Sequence, residues 1–123
     1  MIEIRTEGGE TAFAPKATLR GDLQWMCDAA PETIRLRLLW YTEGRGDRDV
    51  GIAEEIPLGA PVASGSSPFR FTLPSGPYSC SGQLVSVRWA IEAVSDSPRD
   101  VGRLELVLGP DRREVVLGED EGD

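Results

Sequence analysis

The sequence contains no histidine, and its only lysine is Lys16. Histidine is the side chain most often used as a general base or metal ligand near neutral pH. The serines therefore have no imidazole to activate them, and a lysine nucleophile would have to be Lys16, which stands in a turn-like context. A phosphate-binding GxxxxGK[ST] loop is also missing. These absences predict a protein that is not an enzyme and has no catalytic residues, no metal site and no cofactor.

Cysteine is scarce, and long apolar runs are absent. Cys27 and Cys80 are too far apart for a CxxC redox motif or a cysteine-based zinc site, and two reduced, partly buried thiols are favoured over a disulfide. No apolar run approaches the roughly 18 residues of a membrane helix. The first ten residues show neither the positive nor the apolar region of a secretory signal. We therefore predict a cytoplasmic protein without membrane insertion.

The sequence has fewer basic than acidic residues. The chain has 21 acidic and 13 basic residues, for a formal net charge of −8. Proteins that bind nucleic acid or anionic membranes usually carry a basic surface, so a protein partner is favoured over nucleic acid. Residues 118–123 carry four acidic side chains, equal to half of the net charge, and are predicted to be a disordered acidic tail.

The pattern that dominates the sequence is an alternation of apolar and polar residues, which is typical of strands that are buried on one face. It is clearest in Leu84–Val94, Ile34–Tyr41 and Ala17–Cys27. Shorter predicted strands are Ile2–Thr6, Asp49–Ile56, Phe69–Leu73, Gly102–Leu108 and Arg113–Leu117. Segments rich in Gly, Pro, Asp and Ser separate them, and Pro57–Pro68 is predicted to be a long mobile loop. The pattern predicts an all-β, immunoglobulin-like antiparallel β-sandwich of about seven to eight strands, in one domain over residues 1–117.

Charged side chains stand on the predicted outer faces of these strands. Arg35, Arg37 and Arg88 lie there together with Asp22 and Glu92. If their strands are neighbours, we expect cross-strand ion pairs worth at most ~1 kcal/mol each.

Two segments carry a resemblance to a known family. In the first, Phe71, Leu73 and Pro74 are followed by Pro77, Ser79 and Gly82, and then by a long alternating strand that contains Val87 and Trp89. In the second, Phe13 and Pro15 precede a strand with Leu19 and Gly21, although Lys16 and Ala17 stand where Gly-Glu is usual. Both segments resemble the arrestin-like fold, including its bacterial sporulation-control relatives and the related sorting proteins.

The resemblance implies a single sandwich domain of the N-terminal type that acts as a scaffold without catalysis. Arrestins have two domains, so their receptor recognition is not implied for this chain. Read from the residues alone, Pro74 and Pro77 end a strand and shape a turn, and the Ser79 side chain bonds to backbone nearby.

A sandwich has edge strands with unpaired backbone groups, which need protection or recruit a partner strand. Asp49–Ile56 is a predicted edge, and Glu54 and Glu55 on it act either as gatekeepers against aggregation or as attraction for a basic partner. Tyr78, in the loop Pro74–Gly82, either lies at an interface or closes the end of the core. Glu54, Glu55 and Tyr78 are the candidate partner-binding residues of an adaptor or scaffold module. Self-association into homo-oligomers is the alternative to binding another protein.

Two other patterns suggest different functions. Arg45–Asp47 reads Arg-Gly-Asp, the tripeptide that adhesion receptors recognise, but Gly and Asp are also what a turn between strands requires. Asp47 and Asp49 suggest the alternative of a calcium-dependent, C2-like lipid-binding domain. Calcium needs six to eight oxygen ligands that converge from more than one loop, and the sequence shows no such set.

Overall fold

The structure is a computed structural model that describes residues 1–44, 48–58, 61–82, 85–96 and 99–116. These residues form strands and two 3₁₀ turns, Glu7–Gly9 and Pro110–Arg112. The strands are β1 (Ile2–Thr6), β2 (Ala12–Phe13), β3 (Thr18–Met26), β4 (Thr33–Gly44), β5 (Val50–Pro57), β6 (Ser64–Thr72), β7 (Cys80–Ser81), β8 (Val85–Asp96), β9 (Asp100–Leu108) and β10 (Val115–Val116).

The strands form two sheets. The smaller sheet has the order β1-β3-β6 and is antiparallel throughout. In the larger sheet β4 lies between β5 and β8, and the other edge of β8 is shared by β9 and β7. The two-residue strands β2 and β10 add to β9 and β7 in parallel. The fold is therefore the predicted all-β sandwich, with two short parallel pairs added to it.

The core lies between the sheets and is made from alternate residues of the long strands. Fully buried side chains from β4 meet those of the smaller sheet, with Trp25 and Trp89 also buried. The members with no exposed surface include Leu19, Ile34, Leu36, Leu38, Phe71 and Ile91. Burial of each such side chain stabilises the fold by roughly 1.5–3 kcal/mol. The predicted alternation of inward and outward residues is confirmed in these strands.

The boundaries of several strands differ from the prediction, most of all those of β6. Pro57–Pro68 is not a loop throughout, because β6 begins at Ser64. Pro68 is tolerated inside β6 because this strand lies at a sheet edge, where one side of the backbone needs no ladder bond. The short strands β2 and β7 were not predicted.

The segments 45–47 and 117–123, which include the Arg-Gly-Asp tripeptide and the predicted tail, lie outside the described residues.

The Pro-x-Ser segment joins three strands at one end of the larger sheet. The indole Nε1 of Trp89 donates to the carbonyl of Pro77 at 2.6 Å. The backbone N–H of Leu108 donates to Ser79 Oγ at 2.9 Å, and the Ser79 N–H donates to the Leu108 carbonyl at 2.7 Å. Val115 N–H donates to the Ser79 carbonyl at 2.9 Å. Ser79 is therefore structural, and it bonds β9 rather than its immediate neighbours.

The turn before β3 contains Lys16 and Ala17, the two residues that depart from the family pattern. Lys16 has φ 67°, in the left-handed region that favours glycine. Its N–H donates to the Pro74 carbonyl at 3.4 Å, and the Ala17 N–H donates to the Ala14 carbonyl at 3.2 Å. A lysine therefore stands in this turn at a backbone conformation that glycine adopts more readily.

The two margins of the sandwich are different. On one margin β1 packs against β9 so closely that a Cβ on Gly102 would lie 2.7 Å from the Ile2 carbonyl oxygen. On the other margin, no further strand of the described chain pairs with β5 or β6. A cavity of about 340 Å³ separates these two edges, and its apolar lining includes Leu36, Ile56 and Phe69.

Candidate protein-binding surface

The free edge of β5 presents backbone groups in a defined order. Thr42 N–H donates to the Asp49 carbonyl at 3.0 Å, so Thr42 and Asp49 are a hydrogen-bonded pair of the β4–β5 ladder. Bonded and non-bonded pairs alternate in an antiparallel ladder. Val50 and Ile52, opposite Tyr41 and Leu39, are therefore non-bonded pairs. Their N–H and C=O groups point away from β4, toward the free edge.

A β-bulge divides β5 into two halves. Leu39 pairs with Ile52 and Leu38 pairs with Glu54, which leaves Ala53 as an extra residue. Bulges, inward-facing charges and prolines are the devices by which proteins block edge-to-edge pairing. All three protect the half that runs from Ala53 to Pro57. The half that contains Val50 and Ile52 has none of them.

The two predicted acids of β5 have different environments. Glu55 Oε2 accepts a hydrogen bond from Arg37 Nε at 2.8 Å, so its carboxylate is engaged in the sheet. Glu54 shares the face of the buried Leu38 but is itself exposed. Within the described chain, no ion pair or hydrogen bond of its carboxylate is present. Of these two acids, Glu54 is the one with a charge available to a partner.

A concavity of about 470 Å³ lies on the outer face of the larger sheet beside β5. Its floor includes Leu39, which is 5% exposed, and Tyr41. Val50 and Ile52 form its edge and expose 63% and 52% of their surface. Adjacent exposed β-branched residues at a free edge are an unusual arrangement, because such edges are normally short or charged.

A row of alternating charges crosses four strands beside this concavity. Arg37 contacts Glu55 at 2.8 Å and Glu92 at 3.9 Å, and Arg103 contacts Glu92 at 3.1 Å. The predicted cross-strand ion pairs are thus present for Arg37 and Glu92. Each is partly exposed and is worth at most ~1 kcal/mol. The row links the outer faces of β5, β4, β8 and β9.

The other outward charges predicted to pair have different partners. Arg35 contacts Asp96 at 3.1 Å, and Arg88 contacts Glu43 at 2.6 Å. Asp22 is the exception, because it lies on β3 in the smaller sheet, away from these arginines.

Tyr41 lines the concavity and also contacts Arg103 of the charged row. Its hydroxyl donates to Glu105 Oε1 at 2.7 Å, and the Arg103 guanidinium lies 4.7 Å from its ring centroid. Burial raises the pKa of Tyr41 above its ordinary value, and the hydrogen bond to Glu105 raises it further, while Arg103 opposes the shift. Both effects favour the protonated phenol, which is the form that donates the hydrogen bond to Glu105.

Tyr78 lies elsewhere on the molecule. It is 40% exposed and precedes Ser79, which bonds β9 and β10. The strands β4 and β8 separate this end of the sheet from β5. The structure therefore does not bring Tyr78 together with Glu54 and Glu55 in one surface, and whether any of the three contacts a partner stays a prediction.

Sequence reasoning located this edge strand but not its exposed residues. The sequence pattern places Val50 and Ile52 in the predicted strand Asp49–Ile56, but it does not indicate that they take part in binding. The Val-x-Ile alternation was the available signal. The bulge at Ala53 reverses which residues face outward, and a two-residue period cannot reveal it.

The described residues provide no set of calcium ligands around Asp49. Asp49 belongs to the β4–β5 ladder, and its N–H donates to Thr42 Oγ1 at 2.9 Å. Among the described residues, which exclude Asp47, no group of three or more His, Cys, Asp or Glu side chains is placed to hold a metal ion. Cys27 and Cys80 are both free and partly buried, as predicted. The described residues also form no helix with the length and apolar character needed to cross a bilayer.

Two sheets packed in this way, with the Leu-Pro…Pro-x-Ser segment tying their ends, define an arrestin-like β-sandwich. The chain is similar to the crystal structure of Spo0M, a sporulation control protein from Bacillus subtilis, with a TM-score of 0.61 and 15% sequence identity. The match covers 89% of this chain and 49% of that one, so the chain spans about half the length of Spo0M. The predicted arrestin-like fold is confirmed.

Two further solved structures align with lower scores. A superoxide reductase (neelaredoxin) from Ignicoccus hospitalis has a TM-score of 0.48 at 12% identity, over 88% of this chain and 80% of that one. A β-glucosidase from Listeria innocua has a TM-score of 0.43 at 20% identity, over 95% of this chain and 16% of that one. No protein-family model matches the sequence, and no curated protein matches it.

Proposed function

We propose that this protein is a non-catalytic adaptor or scaffold module that binds a partner protein by accepting an extended segment at the free edge of β5. The observation that carries the proposal is the pair Val50 and Ile52, which present both free backbone groups and exposed apolar side chains along one edge. Strand addition uses this combination, because backbone bonds supply affinity and alternate side chains supply specificity.

The chemistry of the edge defines the partner segment. Residues that pair with Val50 and Ile52 would place their side chains on the outer face, so the segment carries apolar residues at alternate positions. Glu54 and the net charge of −8 favour lysine or arginine between them. A second copy of this chain is a less favourable occupant, because two chains of this charge repel each other.

Other features are consistent with an adaptor. Spo0M is described as a sporulation control protein, and a role in regulation without catalysis is proposed here by analogy with its fold. We take residues 1–117 as one folded unit that works in the cytoplasm, in keeping with the two free thiols.

The test uses eight-residue extended peptides with valine or isoleucine at alternate positions and lysine between them. Amide hydrogen exchange should slow at Val50 and Ile52 when such a peptide binds, because these N–H groups gain a partner. Peptides with glutamate in place of lysine should bind at least about tenfold more weakly. If the lysine peptides protect no amide of β5, the proposed binding mode is wrong.

Two proline variants separate partner binding from folding. Ile52→Pro removes an N–H that points to the free edge, so the fold should survive while peptide binding is lost. Gly51→Pro is the matched control, because the Gly51 N–H faces β4 and its loss should destabilise the sheet itself. Ile52→Thr keeps the N–H and should retain part of the affinity. Normal peptide binding by a folded Ile52→Pro variant would contradict the proposal.

A further inference from the structure

Two arginines face each other on the outer surface of the smaller sheet. Arg20 of β3 pairs directly with Arg70 of β6 in the middle of a continuous antiparallel ladder. Leu73 N–H donates to the Ala17 carbonyl at 2.9 Å, which fixes the alternation of that ladder. Arg20 and Arg70 are therefore a non-bonded pair, the type in which opposite side chains lie closer together.

These two arginines differ from the others in the sheets. The described strands contain Arg5, Arg20, Arg35, Arg37, Arg70, Arg88 and Arg103. Five of them contact a carboxylate within 4.0 Å. Arg20 and Arg70 take part in none of the described ion pairs or hydrogen bonds, although the chain has 21 acidic residues.

Stability does not account for this arrangement. Like charges directly opposite each other in a sheet are destabilising, and an acid at either position would have been favourable. The pair also borders a concavity of about 540 Å³, whose lining includes Gly21, Pro68 and Phe69. The site thus combines two free guanidinium groups with an apolar wall.

We propose that Arg20 and Arg70 together bind a carboxylate side chain of a partner peptide. Guanidinium groups hold carboxylates through paired, charge-assisted hydrogen bonds. Asp22 and Glu7 line the same concavity and balance the formal charge of the two arginines, so a bound carboxylate leaves one net negative charge there and a bound phosphate leaves two. The ligand is therefore an acidic peptide rather than a phosphorylated one.

This site is separate from the edge of β5. It lies on the outer face of the other sheet, and neither Arg20 nor Arg70 lines the concavity that contains Val50 and Ile52. The carboxylate site can therefore exist even if strand addition at β5 does not. Together, two surfaces on opposite faces would let one small module hold two partner segments.

The test compares the blocked tripeptides Ala-Glu-Ala and Ala-Gln-Ala by NMR titration of the arginine Nε–H signals. The glutamate peptide should shift the signals of Arg20 and Arg70, and the glutamine peptide should not. Arg20→Gln and Arg70→Gln should each weaken binding about tenfold. Arg5→Gln is the matched control, because Arg5 lies on the same face but is paired with Glu3, and it should change affinity less than about twofold.

Two further measurements test whether the ligand is a carboxylate or a phosphate. Asp22→Asn should tighten binding of the glutamate peptide by about threefold, because it removes an opposing charge. A phosphoserine tripeptide should bind no more tightly than the glutamate peptide. Tighter binding of the phosphoserine peptide, or equal effects of Arg5→Gln and Arg70→Gln, would overturn the proposal.

Discussion

The two margins of this sandwich bring strands of opposite sheets together in different ways. At the closed margin, β1 lies against β9, and the approach depends on Gly102, whose missing side chain leaves room for the backbone of Ile2. The N-terminal ammonium of Met1 reinforces this contact by pairing with Asp100 at 2.7 Å. At the open margin, β5 and β6 stay apart, and a cavity of about 340 Å³ lies between them.

Glycine also occurs at the open margin, but there it faces aromatic rings. A Cβ on Gly51 of β5 would lie 2.3 Å from ring atoms of Trp40, and one on Gly65 of β6 would lie 2.9 Å from the ring of Trp25. Each edge strand is thus covered on its inner side by a tryptophan of its neighbour. The closed margin is fixed by backbone, whereas the open margin is covered by side chains, of which Trp40 is only partly buried and Trp25 is buried.

The largest effect should come from Gly102→Ala. The new Cβ would meet the Ile2 carbonyl oxygen at 2.7 Å, and backbone cannot move without displacing β1. We expect a loss of about 3 kcal/mol in the free energy of unfolding, measured by denaturant titration. Val101→Ala, an exposed position on the same strand, should change stability by less than about 0.5 kcal/mol. Equal effects of both substitutions would mean that β1 does not pack here.

A smaller effect should come from Gly51→Ala at the open margin. The obstacle is the Trp40 ring, which is only partly buried and can turn toward solvent. We expect a loss below about 1.5 kcal/mol, together with a red shift of tryptophan fluorescence as the ring becomes more hydrated. A loss as large as that of Gly102→Ala would show that side chains fix this margin as firmly as backbone fixes the other.

The smallest effect concerns Tyr41, on the outer face next to the open margin. The pKa of Tyr41 is higher in the folded state than in the unfolded state. Tyr41 therefore adds to the free energy of unfolding at pH values below its pKa in the unfolded state. This contribution is lost as the pH rises through its pKa in the folded state. In the Tyr78→Phe variant, absorbance at alkaline pH should follow Tyr41 alone and give a midpoint above the ordinary tyrosine value. Adding Glu105→Gln should lower that midpoint. An unshifted midpoint in Tyr78→Phe would mean that the concavity is fully hydrated.

The sequence was sufficient to predict the sandwich, because alternation along Ile34–Tyr41 and Leu84–Val94 reports directly on burial. It also located the edge strand near Asp49–Ile56 and the structural role of Ser79. It could not predict the bulge at Ala53, which depends on the register against β4 and not on local composition.

The proposed carboxylate site could not be predicted for a similar reason. Arg20 and Arg70 are far apart in the chain, and nothing in either segment indicates that they are neighbours. Only strand pairing between β3 and β6 brings them together, and a single sequence does not contain that pairing. Tyr78 illustrates the opposite case, since an aromatic in a loop was noticed easily but lies away from both concavities.

The positions of two prolines limit how this molecule can assemble. Pro57 in β5 and Pro68 in β6 both fall at non-bonded ladder positions, where the backbone nitrogen points outward and has no hydrogen to donate. Each open edge is therefore interrupted before a neighbour could pair along its full length. Prolines at these positions disfavour the edge-to-edge addition of further copies, because each one removes a hydrogen-bond donor from an otherwise open strand edge.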